Sequence, residues 1–93
     1  MDEDTARSIL SAALQEYRGR PYPALAGIVG QVDVREVRAP DGTCYQLELE
    51  VLWDGRPGGA VHVLGAIDDG RLRAFRPLTL DFIRNPDGSF VGE

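Results

Sequence analysis

The chain has 93 residues, of which 43% are hydrophobic and 27% charged, values typical of one folded domain and not of a disordered chain. Fifteen acidic and ten basic residues give a formal net charge of -5, which repels phosphate backbones and anionic lipid and so disfavours nucleic acid and membranes as partners. The single cysteine, Cys44, excludes an internal disulfide and a metal cluster, and we expect no cofactor.

The first residues, Met1–Thr5, lack the basic region and the apolar stretch of a secretion signal. No run in the chain approaches the roughly 18 apolar residues that a membrane-spanning helix requires. These two observations predict a cytoplasmic protein.

The first predicted element is an amphipathic helix over Thr5–Arg18. Carboxylates at 2–4 stand at its positive end, and Gly19 followed by Pro21 supplies its stop. The prolines in Arg20–Pro23 forbid continuation of the helix and predict an extended connector. Apolar residues at a spacing of three and four form one stripe of this helix: Ala6, Ile9, Leu10, Ala13, Leu14 and Tyr17.

Four strands are predicted after the connector. Alternating or branched apolar residues indicate each strand, and Pro, Asp and Gly residues indicate tight turns between them. The stretch that follows the fourth strand has no clean period, and we expect an irregular C-terminal tail. The predicted strands are Ile28–Arg35, Tyr45–Trp53, Ala60–Ile67 and Arg71–Leu78.

Strands joined by short turns pair with their neighbours, so the chain predicts one α+β domain over 1–93, with the N-terminal helix packed on a four-stranded antiparallel meander. This element order, α-β-β-β-β, resembles that of the cystatin-like roll. Papain-inhibiting members of that group use a Gln-x-Val-x-Gly loop, whereas the corresponding turn here, 39–43, reads Ala-Pro-Asp-Gly-Thr. The resemblance concerns element order alone, and inhibition of papain-like proteases is not expected.

The turns also predict which side chains face the helix. They place Val32 and Val34 near Leu49 and Leu47 on the helix side of the sheet. Gly65 then leaves a shallow place where the helix can cross the sheet closely.

The same parity places the only histidine, His62, on the outer face of the sheet, opposite Glu50 and close to Glu48 and Asp33. An imidazole beside three carboxylates could perform acid-base chemistry or bind a hard divalent ion. A solvated sheet face with one cross-strand ion pair explains the same pattern. The sequence offers no nucleophile, oxyanion donor or lid beside it, so we assign no catalytic and no metal-binding residue.

A second group of residues on the predicted outer face is apolar: Leu52, Leu64, Phe75 and Val37. If these side chains are contiguous, something should cover them, because solvent disfavours an apolar patch. The cover is the tail, a second copy of the chain or a different partner, and the sequence leaves these alternatives open. The tail residues that could serve are Phe82, Ile83, Phe90 and Val91.

The predicted fourth strand is basic, with Arg71, Arg73 and Arg76 beside an aromatic residue, as in some strands that bind single-stranded nucleic acid. Because the whole chain is acidic, we interpret these arginines as protection of an exposed sheet edge.

These observations predict a small non-enzymatic protein-interaction or regulatory module, with a homodimer as one of its forms. The alternative is a small-molecule or weak acid-base site. That site would lie around Glu50 and His62, or between helix and sheet near Tyr17, Tyr45 and Trp53.

Overall fold

A computed structural model of the chain describes residues 1–70 and 77–93. Its four strands form one antiparallel sheet in the order β1-β2-β3-β4, and the first helix packs on one face of it. This arrangement confirms the predicted α+β fold. Neither helix in the described part of the chain has the length and apolar character needed to cross a membrane. The elements are α1 Glu3–Arg18, α2 Tyr22–Ala26, β1 Val32–Arg38, β2 Cys44–Trp53, β3 Val61–Asp68 and β4 Leu78–Arg84.

Helix α1 ends at the predicted residue and begins two residues earlier than predicted. The Asp2 carboxylate caps it by accepting the Thr5 N–H at 3.2 Å and the Thr5 hydroxyl at 2.9 Å, which holds the pKa of Asp2 below its usual value. At the other end, the Arg84 guanidinium donates to the carbonyl oxygens of Arg18 at 3.0 Å and Arg20 at 2.8 Å. These carbonyls lie where a helix runs out of its own donors, so Arg84 ties the end of α1 to the sheet.

The connector after α1 was predicted to be extended, and this prediction is wrong: it forms the short helix α2. Pro21 precedes it with an extended backbone, and Pro23 lies in its first turn, where no N–H has an intrahelical acceptor. These prolines therefore begin a helix instead of preventing one. The Tyr22 hydroxyl donates to the Gly59 carbonyl at 2.7 Å, and Leu25 is buried in the core.

Strand β1 starts later than predicted and presents the opposite face to α1. The loop between the paired residues Arg38 and Cys44 has five residues, 39–43, one more than the predicted pairing requires. A shift of the pairing register by one residue moves every side chain of a strand to the opposite face of the sheet. Val32 and Val34, predicted to face the helix, consequently lie on the outer face.

Strands β2 and β3 follow their predicted bounds closely, and their helix-facing residues are buried. Their register differs from the predicted one by two residues: Val51 pairs with Val63, and His62 pairs with Leu52 instead of Glu50. A slide of two residues leaves each side chain on its predicted face. The buried residues of the two strands are Tyr45, Leu47, Leu49, Val51, Val61, Val63, Gly65 and Ile67.

Helix α1 approaches the sheet most closely at Gly65 on β3. A Cβ atom at this position would lie 2.8 Å from Cδ1 of Leu10 and 3.6 Å from Cγ of Leu14. The missing side chain therefore makes room for the two leucines of α1. The residue opposite Gly65 on β4 is Leu80.

The fourth strand lies later in the chain than predicted. Of the predicted strand Arg71–Leu78, residues 71–76 lie outside the described residues, and β4 begins at Leu78. Its alternate residues face the helix side, where Phe82 is buried in the core. After β4 the chain turns over 85–88, and Phe90 packs edge-on against Phe82 with the ring centroids 5.7 Å apart.

Candidate functional site

One face of the sheet has no covering element among the described residues, and we call it the open face. Val32, Val34 and Leu52 lie on it with 47%, 71% and 38% of their surface exposed. They are three of the five exposed large hydrophobic residues in residues 1–70 and 77–93. By strand register, the open face consists of Val32, Val34, Glu36, Arg38, Cys44, Gln46, Glu48, Glu50, Leu52, His62, Leu64, Ala66, Asp68, Thr79, Asp81 and Ile83.

A shallow depression of about 430 Å³ lies on the open face. The side chains of Leu64 and Ala66 on β3 form its floor. Leu64 pairs with Glu50 on one side and with Asp81 on the other, so the backbones at Glu50 and Asp81 are two strand spacings, or about 10 Å, apart. The remaining polar groups on its sides are Glu48 and Thr79.

The open face is acidic. In the described part of the chain it carries five carboxylates, against one arginine and one histidine. The arginine, Arg38, lies at the far end of β1, where its guanidinium donates to the Gly42 carbonyl at 3.1 Å. The field over the depression therefore favours cations. The carboxylates belong to Glu36, Glu48, Glu50, Asp68 and Asp81.

His62 contacts Asp81, which is one of the residues that line the depression. Its Nε2 atom is 2.6 Å from Oδ2 of Asp81 on the neighbouring strand. Sequence analysis did not identify Asp81 as the partner of His62, because the predicted fourth strand ended at Leu78 and the residues after it were expected to be irregular. The alternation of Leu80, Asp81 and Phe82 was the available signal, since it places Asp81 on the face opposite to its two apolar neighbours.

Asp33, expected beside His62, lies instead on the helix side of β1. It accepts hydrogen bonds from the Tyr17 hydroxyl at 2.7 Å and from Nη2 and Nε of Arg35 at 2.9 and 3.1 Å. Arg35 also donates to Glu16 at 2.9 Å. Donation from Arg35 and then from Tyr17 holds the pKa of Asp33 below its usual value. This network connects the edge strand to α1.

The residues expected to form an apolar outer patch do not all lie on the same face of the sheet. Leu52 and Leu64 lie on the open face, whereas Val37 lies on the helix side, opposite Tyr45, and packs against the core. The reversed parity of β1 moves Val37 away and brings in Val32 and Val34, which sequence analysis placed in the core. Phe75, Arg71, Arg73 and Arg76 lie outside the described residues.

The aromatic residues of the alternative site between helix and sheet belong to the core. Tyr17 and Tyr45 are buried, and Trp53 packs against the same cluster. Burial is the main cause that raises the pKa of Tyr17, and the hydrogen bond that its hydroxyl donates to Asp33 is the second. Both keep the phenol neutral.

The open face combines charged, polar and apolar side chains. Carboxylates, a threonine hydroxyl and apolar side chains meet in a depression open to solvent. In residues 1–70 and 77–93, no group of three or more His, Cys, Asp and Glu side chains is placed to hold a metal ion. Such a surface attracts cationic and apolar groups.

Comparisons of the chain with protein-family models, with curated proteins and with solved structures find no significant match. The open face is therefore the feature of this chain that bears on its function. Its three properties are exposed apolar side chains, negative charge and a shallow depression.

Proposed function

We propose that this protein is a small protein-interaction module that binds a partner through the open face. The observation that supports this proposal is the exposure of Val32, Val34 and Leu52 on one side of the sheet, while α1 covers the other side. Apolar side chains grouped on one surface typically mark an interaction site, since a bound partner removes them from water. The edge position of β1 leaves Val32 and Val34 accessible to that partner.

The tail contributes little to covering the open face. Phe82 is buried on the helix side, and Phe90 packs against it with the Arg18 guanidinium of α1 4.0 Å from the Phe90 ring. Ile83 lies on the open face, and the N–H of Val91, a residue that is 47% exposed, donates to the Ile83 carbonyl at 2.9 Å. We therefore propose that the cover is another protein.

Site-specific photo-crosslinking in the producing cells tests this proposal. A benzophenone side chain placed at Val34, on the open face, should give a discrete crosslinked product, because the partner lies over it. The same group at Ser11, exposed on α1, is the matched position and should give little product. Gel mobility and mass spectrometry measure the two yields.

A second substitution establishes that the product reports on the open face. Leu52→Glu should reduce the Val34 product strongly, whereas Ala12→Glu on exposed α1 should leave it unchanged, with both variants folded by circular dichroism. Equal yields at Val34 and Ser11, or a product indifferent to Leu52→Glu, would contradict an interaction face here.

A second candidate function is a small-molecule site in the same depression. One observation favours it: about 430 Å³ lies within the usual range of ligand pockets, and Asp81, the partner of His62, lines the depression. Exposed apolar residues outside the depression favour the protein partner, since a small molecule would not reach Val34.

A further inference from the structure

We infer that the partner inserts an arginine or lysine side chain into the depression, with its aliphatic stem over Leu64 and Ala66 and its charged end at the carboxylates. This inference rests on the proposed function, because it names the chemistry of the partner segment. The occupant is a basic segment of another protein.

Within residues 1–70 and 77–93, no ion pair provides a cation for Glu48 or Glu50 in the depression. In the described part of the chain, neither side chain has a hydrogen bond or an ion pair. Arg18 and Arg35 pair with carboxylates on the other side of the molecule. A partner cation would therefore meet no competing donor at these two carboxylates from the part of the chain that the structure describes.

The layout of the depression suits a side chain that is apolar along its stem and charged at its end. Leu64 lies between Glu50 and Asp81 in one cross-strand row, with Ala66 next to it on β3. Arginine and lysine stems pack on apolar surface while the charged group stays at the rim. A wholly apolar side chain would instead desolvate the carboxylates without giving them a partner, which costs free energy.

The same charges argue against a second copy of the chain as the occupant. Two copies that pack through the same face in a symmetric dimer bring equal patches together. Here the carboxylates of Glu48, Glu50 and Asp81 would face their own copies, and like charges repel. A segment with cations and apolar residues complements both the carboxylates and Val32, which lies in the same row as Glu50.

The direct test is a titration of the ¹⁵N-labelled protein with a short peptide of alternating leucine and arginine, blocked at both ends. Amide signals at 48–50, 64–66 and 79–81 should shift. The matched peptide carries citrulline, the neutral isostere of arginine, and should bind about tenfold more weakly, since it lacks the charge. Raising the salt concentration from about 0.05 to 0.3 M should weaken the arginine peptide alone.

Two double variants separate the local charges from the net charge. Glu48→Gln with Glu50→Gln should weaken the arginine peptide about tenfold and lower the Val34 crosslinking yield. Glu3→Gln with Asp54→Asn removes the same two charges at exposed positions off the open face and should leave binding within about twofold.

Several results would overturn the inference. The citrulline peptide could bind as tightly as the arginine peptide, or the two double variants could lose equal affinity. The arginine peptide could also cause no amide shifts at millimolar concentration, or free agmatine could bind as tightly as the peptide. If the Val34 crosslink forms but the arginine peptide causes no shift, the interaction face stands and the basic partner fails. If the crosslink itself fails, the proposed function fails.

Discussion

The carboxylate of Asp33 receives three hydrogen bonds, one from the Tyr17 hydroxyl and two from the Arg35 guanidinium. These donors favour its charged form, so its pKa is lower in the folded chain than in the unfolded one. The unfolded chain therefore takes up the proton first as the pH falls. The contribution of Asp33 to stability is complete at neutral pH and is lost as the pH falls through its lowered folded pKa.

Asp33→Asn tests this network at the scale of one residue. At neutral pH it should lower the free energy of unfolding by about 1 kcal/mol or less, because the carboxylate is partly exposed and solvent screens it. The difference from wild type should shrink as the pH falls below about 4, where the unfolded chain binds the proton. Urea unfolding across a pH series measures it. Tyr17→Phe, which removes one donor, should show a smaller loss of the same sign.

A difference between wild type and Asp33→Asn that stays constant from pH 7 to about pH 3 would contradict this account, since the loss would then not depend on the charge.

At the scale of elements, one side chain holds β4, the end of α1 and the following turn together. Arg84 donates through Nη1 to the carbonyls of Arg18 and Arg20 and through Nε to the Gly88 carbonyl at 2.9 Å. Its guanidinium also lies 4.5 Å from the Phe90 ring. A planar group with several fixed donors can reach all these acceptors at once, whereas an ammonium group cannot.

Arg84→Gln should lower the free energy of unfolding by about 1.5 to 3 kcal/mol, because carbonyls at the end of α1 lose a charged donor. Arg84→Lys should recover only part of this loss. Hydrogen exchange should be faster in the last turn of α1 in both variants, and chemical unfolding measures the free energies.

Arg38→Gln is the matched control, since Arg38 donates to a single exposed carbonyl at Gly42, and its effect should stay within about 0.5 kcal/mol. Full stability of Arg84→Lys, or equal losses at Arg38 and Arg84, would contradict the joining role of Arg84.

At the scale of the whole molecule, α1 and Leu25 of α2 pack on one face of a four-stranded sheet, and no helix or strand of residues 1–70 and 77–93 covers the other face. The covered face buries the core, whereas the open face carries five of the carboxylates in the described part of the chain. Its charge keeps equal faces apart, and its apolar residues favour a complementary one. This combination supports our proposal that the open face binds a different protein.

Light scattering across an about hundredfold dilution series should give the mass of one chain, 10.2 kDa, at every concentration. Leu64→Glu on the open face and Ala12→Glu on α1 should both leave this mass unchanged. A dimer that dissociates on dilution and is abolished by Leu64→Glu alone would instead place self-association on the open face.

Local patterns determined the elements that contain their own signal. The stripe on α1 and the alternation in β2 and β3 are properties of contiguous residues, so bounds and fold class followed from them. Helix α2 was not predicted, because prolines at the start of a helix cannot be told in the sequence from prolines that end one. Strand β4 was missed because the alternation in Leu78–Arg84 is short and gives a weak signal.

The sequence by itself therefore determined the class of the fold, the acidic balance and the face on which His62 lies. Only the tertiary structure decided which residues share that face. A slide of two residues between β2 and β3 kept every side chain on its side, whereas one additional loop residue before Cys44 turned Asp33 and Val37 toward α1 and exposed Val34. A strand pattern repeats every two residues, so it records alternation but not register, and register depends on loop length and on contacts with distant residues.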